Sequence, residues 1–369
     1  MMQDFVLFTN TQWTQAPRLR HQIARLLAQA GHRVTFFETP AHPWQPVDRA
    51  PREVEPRIRL VSSRQLLHHQ LRVVRPLQRL NESFVLGEID RSLPADIDRA
   101  RCTIINFRYE YGFVRAAFPG APMTTIIHDN FEAQCRLPWR GHITDALART
   151  CRASDRVLVV STPLQRRLSL WCKPELFLPW SVEAYREPAA DMARRTDVAF
   201  WGYVDTAVDL DMVRRVAHAI EARGEGGRVL LIGPTEKAHR RERIIRALAD
   251  APNIEVRERT DLDRLPLDSL LAAILPYVDS ESVRSVTLAN KSMQLLARGL
   301  PLLISSMPEF VQKPFILRLD GEVPIATVLG RCHAGFLGWQ SDIRAFVESN
   351  SPASRLKALG VTADGSAEV

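Results

Sequence analysis

LANKSMQLLARGLPLLI, residues 288–304, is the stretch from which the rest of the chain can be read. Its first half has helical spacing and puts Lys291, Gln294 and Leu295 on one side. Arg-Gly-Leu-Pro then ends the helix, because glycine supplies the C-terminal turn and proline cannot continue it. Leu302, Leu303 and Ile304 follow as a short buried strand. Lys291 is one of five lysines, set against forty-four arginines. Near a helix start it stands beside free backbone N–H groups, an arrangement that suits a diphosphate. The plainer reading is a surface lysine on an amphipathic helix.

Working outward, the same step from helix to apolar strand recurs. Residues 5–8 form a strand, 19–30 a helix ended by Gly31, and 34–37 the next strand, which is the opening of an α/β domain. Strands are also predicted at 58–61, 102–107, 123–127 and 157–160, with helices at 143–151 and from 163 to 170. A second α/β run starts at 198–200 and continues through a helix at 210–222, strands at 229–232 and 254–256, a helix at 241–249, and an apolar run that ends at Pro276-Tyr277. Residues 180–196 are polar and include Pro188, as an interdomain linker would. The expected layout is therefore an N-terminal domain over 1–179, a linker over 180–196, a C-terminal domain over 197–340 and a helical tail over 341–369 that packs back on the N-terminal domain.

Composition excludes several classes. At 369 residues, with 46% hydrophobic and 25% charged side chains, the chain has the material for two full cores. Its formal charge of +7 favours negatively charged partners. It lacks a compact basic module with interleaved aromatics, so nucleic acid is not expected as a partner. Cys102, Cys135, Cys151, Cys172 and Cys332 form no C-x-x-C pair, which argues against a zinc site or a disulfide framework and for reduced thiols in the cytoplasm. MMQDFVLFTN has neither a basic leader nor a long apolar core, so no signal peptide is expected. No apolar run reaches the roughly 20 residues that span a bilayer.

Residues 63–93 mix Arg64, Arg72, Arg75 and Arg79 with leucines and read as a basic amphipathic helix bent near Pro76. Such a surface lies against an anionic membrane or, equally well, packs on its own sheet. Open parallel sheets place ligands at strand C-termini. The strand at 102–107 delivers Arg108 and Tyr109 there, and the strand at 123–127 delivers His128 and Asp129. Arg18, Arg20 and His21 follow the first strand. Glu38 ends the second strand, but the first loop has no G-x-G-x-x-G, so a nicotinamide site is rejected.

This layout resembles the two-domain GT-B glycosyltransferases. The residues that carry the likeness are Trp180-Ser181-Val182-Glu183 at the crossover, Trp201-Gly202-Tyr203 opening the second half, and Gly233-Pro234 after its second strand. The stretch with Lys291, Gln294 and Gly299-Leu300-Pro301, preceded by Pro276-Tyr277, is similar to the xanthan-type glucuronosyltransferases of bacterial exopolysaccharide assembly, with Asn290 where that family has methionine. The resemblance implies an α/β GT-B fold whose two Rossmann-like domains face each other across a cleft. It also implies an inverting, membrane-associated enzyme at the inner face of the cytoplasmic membrane. Such an enzyme moves glucuronic acid from UDP to a glycan or polyprenyl-diphosphate-linked oligosaccharide, without a cofactor or an essential metal.

The site residues follow from that implication. Inverting transfer needs a base for the acceptor hydroxyl, and Asp129 matches by position, with its neighbour His128 as the other candidate. An N-cap or turn role is the plainer reading of Asp129. The leaving diphosphate needs positive charge or dipoles, for which Lys291, Gly202 and Tyr203 are candidates. Gln294, Asn290, Tyr277 and Gly233 complete the donor set, although Tyr277 fits a core position equally well. Arg18, Arg20, His21, Arg108 and Tyr109 are assigned to the acceptor. Asp209 and Asp211 form an Asp-Leu-Asp at the start of the helix after Trp201-Gly202, and helix capping explains them better than a metal. A nucleotide-sugar epimerase of the same fold and a non-catalytic GT-B-like binding protein are the competing readings.

Overall fold

The computed structural model describes residues 2–15, 18–68, 71–135, 139–235 and 238–361. The chain divides into two compact units, residues 1–178 with 352–369, and residues 179–351.

In the first unit, β1 (Asp4–Phe8) leads through α1 (Leu19–Gln29) to β2 (Arg33–Phe37), and β3 (Arg52–Glu55) and β4 (Ile58–Val61) form a hairpin. Next come α2 (Arg75–Ser92), β5 (Thr103–Asn106), β6 (Met123–Ile127), α3 (Arg140–Ala153), β7 (Arg156–Val159), α4 (Thr162–Leu168) and the short β8 (Glu175–Leu176). The sheet order is β3-β4-β2-β1-β5-β6-β7-β8, parallel except for β3 against β4. β1, β5 and β6 are buried on both faces, so their side chains show no in-out alternation, and Asn106, Thr124 and Thr125 are buried along with the apolar residues.

The second unit runs β9 (Asp197–Trp201), α5 (Leu210–Glu221), β10 (Val229–Ile232), α6 (Ala238–Ala247), β11 (Ile254–Arg257) and β12 (Leu270–Leu275). It continues with α7 (Glu281–Arg284), α8 (Asn290–Leu296), β13 (Leu302–Ile304), β14 (Ile316–Arg318), α9 (Ile325–Gly335) and α10 (Gln340–Ser349). Its six strands are all parallel in the order β11-β10-β9-β12-β13-β14, the doubly wound arrangement of a dinucleotide-binding sheet. The helix that opened the sequence reading is short. α8 spans seven residues and ends where Gly299 takes φ +72°, with Leu300 N donating to the Leu295 carbonyl at 3.2 Å.

Three expectations change. The helix expected over 63–93 begins only at Arg75, with Pro76 in its first turn. Proline has no N–H to give a preceding turn, so a helix can start there but not run through. The described residues before it, 63–68 and 71–74, form no α-helix, and Arg72 is buried rather than lipid-facing. Residues 180–196, read above as a linker, belong to the second unit. Trp180 is buried there, and the fully buried Arg195 donates to the carbonyls of Ala189, Leu267 and Leu270. The tail also divides. α10 stays with the second unit, while the last helix, Pro352–Ala358, packs on α1 in the first.

Candidate functional site

In each sheet the strand order reverses at its centre, between β1 and β5 in the first unit and between β9 and β12 in the second. The sequence-derived residues gather at the carboxyl ends of these strands, where open α/β sheets leave a crevice.

In the second unit, Gly202 directly follows β9 and Gly233 directly follows β10. A side chain at Gly233 would lie 1.8 Å from the Gly202 carbonyl oxygen, and one at Gly202 would lie 2.3 Å from Lys291 Nζ. Both glycines are therefore required by close approach. Lys291 Nζ lies 3.9 Å from the centre of the Phe200 ring and 5.6 Å from that of Tyr277. Burial pushes its pKa down to about 7, and Asp205 opposes that shift through space. A cation held on aromatic faces with only a distant counter-charge is poised to accept an anion. Gln294 is half-buried on the same helix, and Asn290 and Tyr203 are exposed beside it in sequence and at the β9 loop. Tyr277 is held by the Phe200 ring and by a bridge to Val208, and burial raises its pKa. Asp209 caps α5 by accepting from Met212 N at 2.9 Å.

In the first unit, Asp129 follows β6. Its Oδ1 accepts from Asn130 N at 2.9 Å and its Oδ2 from Gln134 Nε2 at 2.5 Å. Burial raises its pKa, against the pull of these hydrogen bonds and of Arg20 and Arg18. His128 is held differently. Arg20 donates to its Nε2, and burial and that guanidinium push its pKa down to about 3. Arg20 also donates to Thr11 Oγ1 at 2.8 Å, and burial lowers its own pKa to about 10. Arg20, His128 and Asp129 thus form one cluster. Arg18 is exposed near it.

His21 is not part of that cluster. It is fully buried, its Nδ1 accepts from Arg18 N at 3.1 Å, and its ring stacks on Phe36. Those contacts fix the start of α1, and the shielded ring offers no surface to an acceptor. Arg108 and Tyr109 instead line a cavity of about 560 Å³ together with Asn10, Arg72, Gln134 and Trp139. Arg108 and Arg72 converge on Glu110, at 2.9 and 2.6 Å, and Arg108 also covers the Tyr111 ring. Arg72, Thr11 and Asp205 were not singled out from the sequence. Arg72 was hidden in a run of arginines, and nothing local to Thr11 or Asp205 reveals their partners.

Structural comparison then decides the architecture. The E. coli trehalose-6-phosphate protein bound with UDP-2-fluoro glucose superposes with a TM-score of 0.67 at 11% identity, over 96% of this chain and 98% of that one. The HepE protein of Anabaena in complex with UDP gives 0.66 at 9% identity, over 97% and 98%. The fold is GT-B. A glycosyltransferase from Rickettsia africae matches the GT-B chain at 0.66 and 9% identity, over 97% of each. Residues 18–175, most of the first unit, match the family described as Glycosyltransferase Family 4. No protein of curated function matches the chain in sequence.

Proposed function

We propose that this protein transfers a sugar from a UDP-sugar to a hydroxyl of a lipid-linked or polysaccharide glycan, with inversion at the anomeric carbon. The observation that carries the reading is Lys291, held over Phe200 against the Gly202 and Gly233 strand ends at the switch point of the second sheet. In this reading the backbone there approaches the diphosphate closely, because no side chain fits at either glycine. Lys291 neutralises the charge that builds on the leaving UDP, and Gln294 and Asn290 hold its diphosphate or ribose. The acceptor oxygen attacks the anomeric carbon as the bond to the diphosphate breaks, and Asp129 takes the hydroxyl proton. Burial makes that carboxylate a stronger base than an exposed one, whereas His128 is held neutral with its free lone pair occupied by Arg20.

UDP as the nucleotide is supported by similar structures solved with UDP-2-fluoro glucose and with UDP and glucose. The match of the first unit to Glycosyltransferase Family 4 favours transfer over epimerisation and over a purely binding role. Glucuronic acid is the sugar to try first, on the xanthan-type resemblance of residues 288–304. A glycosyltransferase of lipopolysaccharide biosynthesis shares the fold, with a TM-score of 0.60 and 11% identity over 94% of this chain. No helix among the described residues is long and apolar enough to cross a membrane. Contact with an anionic bilayer at its inner face therefore falls to the surface around α2. There Leu71, Val74, Leu77 and Leu80 are exposed beside Arg75 and Arg79.

Calorimetric titration with UDP, GDP and ADP tests the donor half, on the wild type and on Lys291→Ala. Selective UDP binding that weakens in the variant supports it, and UDP affinity indifferent to Lys291 rejects it. Consumption of UDP-glucuronic acid then tests the sugar.

A further inference from the structure

A second cavity, of about 760 Å³, opens in the first unit at the ends of β2 and β4. None of the catalytic or acceptor residues assigned above lines it. It shares two wall residues, Thr39 and Gln65, with the cavity of Arg108 and Tyr109, so the two form one trough along the sheet edge. From β2 to β6 the sheet steps across β1 and β5, a distance of roughly 15 Å at ordinary strand spacing. That is longer than a single sugar ring.

Four buried polar atoms on residues lining this trough have no hydrogen-bond partner among the described residues: His42 Nδ1, Gln65 Oε1, Arg72 Nε and Arg108 Nη1. Gln65 is 8% exposed and sits at the junction of the two cavities. Buried polar groups are rarely left unmatched. Arginine nitrogens only donate and the glutamine oxygen only accepts, so a ligand that matches this lining offers both acceptors and donors. Hydroxyl groups do both. Phosphate or carboxylate would satisfy the arginines and leave Gln65 without a donor. At the far end, Trp44 is 75% exposed and stacks on His42, with ring centroids 4.7 Å apart and planes at 5°, and His42 stacks in turn on His68 at 5.6 Å. An exposed indole stacked on His42, which lines the cavity as His68 does, is a platform for the apolar face of a pyranose.

We propose that this trough binds a glycan of more than one sugar, with the outer sugar on the Trp44–His42–His68 stack and Gln65 gripping the chain between the two cavities. The inference rests on the glycosyl-transfer reading for its purpose and names the acceptor class as an oligosaccharide.

The test is an array of neutral, phosphorylated and sulfated glycans, from one to five units long, probed with the full chain and with Trp44→Ala and Gln65→Leu. The expected result is binding to neutral glycans of two or more units over single sugars. Trp44→Ala should weaken it by about tenfold or more, with an unchanged thermal midpoint because Trp44 is exposed. Gln65→Leu should weaken it at every length. Equal binding of single sugars and oligosaccharides, binding indifferent to both variants, no glycan binding, or signal confined to charged glycans whatever their length would each overturn the proposal. UDP titration of the same proteins keeps the two readings apart. Lost UDP binding with intact glycan binding defeats the transferase reading alone, and the converse defeats only the trough.

Discussion

Arg20 donates to Nε2 of His128, so the histidine beside Asp129 has already committed the lone pair that a general base needs. Asp129, one residue on, keeps a carboxylate whose pKa burial raises. The two neighbours therefore have separate tasks, with His128 fixing Arg20 and Asp129 available to take a proton.

Asp129→Asn should lower kcat for transfer by about a thousandfold, within the range that general bases contribute, while UDP affinity stays within about twofold. His128→Gln, which keeps an acceptor for Arg20, should lose far less, within about tenfold. Turnover and UDP titration of both variants check this. Robust transfer by Asp129→Asn rejects that residue as the base, and an NMR spectrum showing retained anomeric configuration rejects inversion.

Lys291 makes donor binding depend on pH. In the free protein its pKa is about 7, whereas a bound diphosphate holds the proton on. The complex therefore carries more protons than the free protein, so affinity falls as pH rises above about 7, by up to tenfold per pH unit. Calorimetry at pH 8 in Tris and in HEPES should show proton uptake on UDP binding. Lys291→Met should bind more weakly and take up no such proton, and uptake that persists in the variant assigns it elsewhere.

Gly233→Ala should destabilise the second unit by at least about 2 kcal/mol. Its Cβ would meet the Gly202 carbonyl oxygen at 1.8 Å, and backbone cannot swing aside as a side chain can. Gly202→Ala meets the flexible end of Lys291 but places an L side chain at φ +141°, so it should cost less, about 1–2 kcal/mol, and lose UDP affinity as well. Denaturant unfolding read beside UDP titration separates the two effects.

Glu110 sits between Arg72 and Arg108, all three side chains at most 10% exposed. Glu110→Gln leaves two buried guanidiniums without their counter-charge and should cost about 3–5 kcal/mol of stability. Burial is the largest single influence on Glu110 and raises its pKa, but Arg72 and Arg108 together outweigh it and hold that pKa below its ordinary 4.5. The contribution of Glu110 is then complete above about pH 4.5 and disappears as pH falls through the lowered folded value. Acid unfolding of the variant should lack that part of the transition, and superimposable acid curves would contradict the assignment.

Leu77→Glu with Leu80→Glu should cut binding to phosphatidylglycerol-containing vesicles by about tenfold or more, because two exposed leucines lose their apolar transfer and gain charge repelled by the lipid. The thermal midpoint should not move. Co-sedimentation unchanged by the double substitution removes this surface from the membrane proposal.

Much of the architecture was legible because its signals are local. A short apolar run such as Val229–Ile232, flanked by Gly226-Gly227 and Gly233-Pro234, reads as a strand buried on both faces, and Gly299-Leu300-Pro301 reads as a helix end. Strand ends then name His128, Asp129 and Lys291 as residues at a sheet edge. The helix expected over 63–93 shows the limit of that reasoning. Leucine and arginine spacing there fits a long helix, but with Pro76 in its first turn the helix starts only at Arg75, and Arg72 before it pairs with Glu110.

The sequence by itself determined two doubly wound α/β halves and a lysine at the edge of the second, since periodicity, glycine and proline act over a few residues. Only the tertiary structure decided which groups share an electrostatic environment. Lys291 is buried over a ring ninety-one positions away, His128 is engaged by an arginine 108 positions away, and His21 is withdrawn into the core. Burial and pairing set those protonation states, and both depend on contacts made across the fold rather than along the chain.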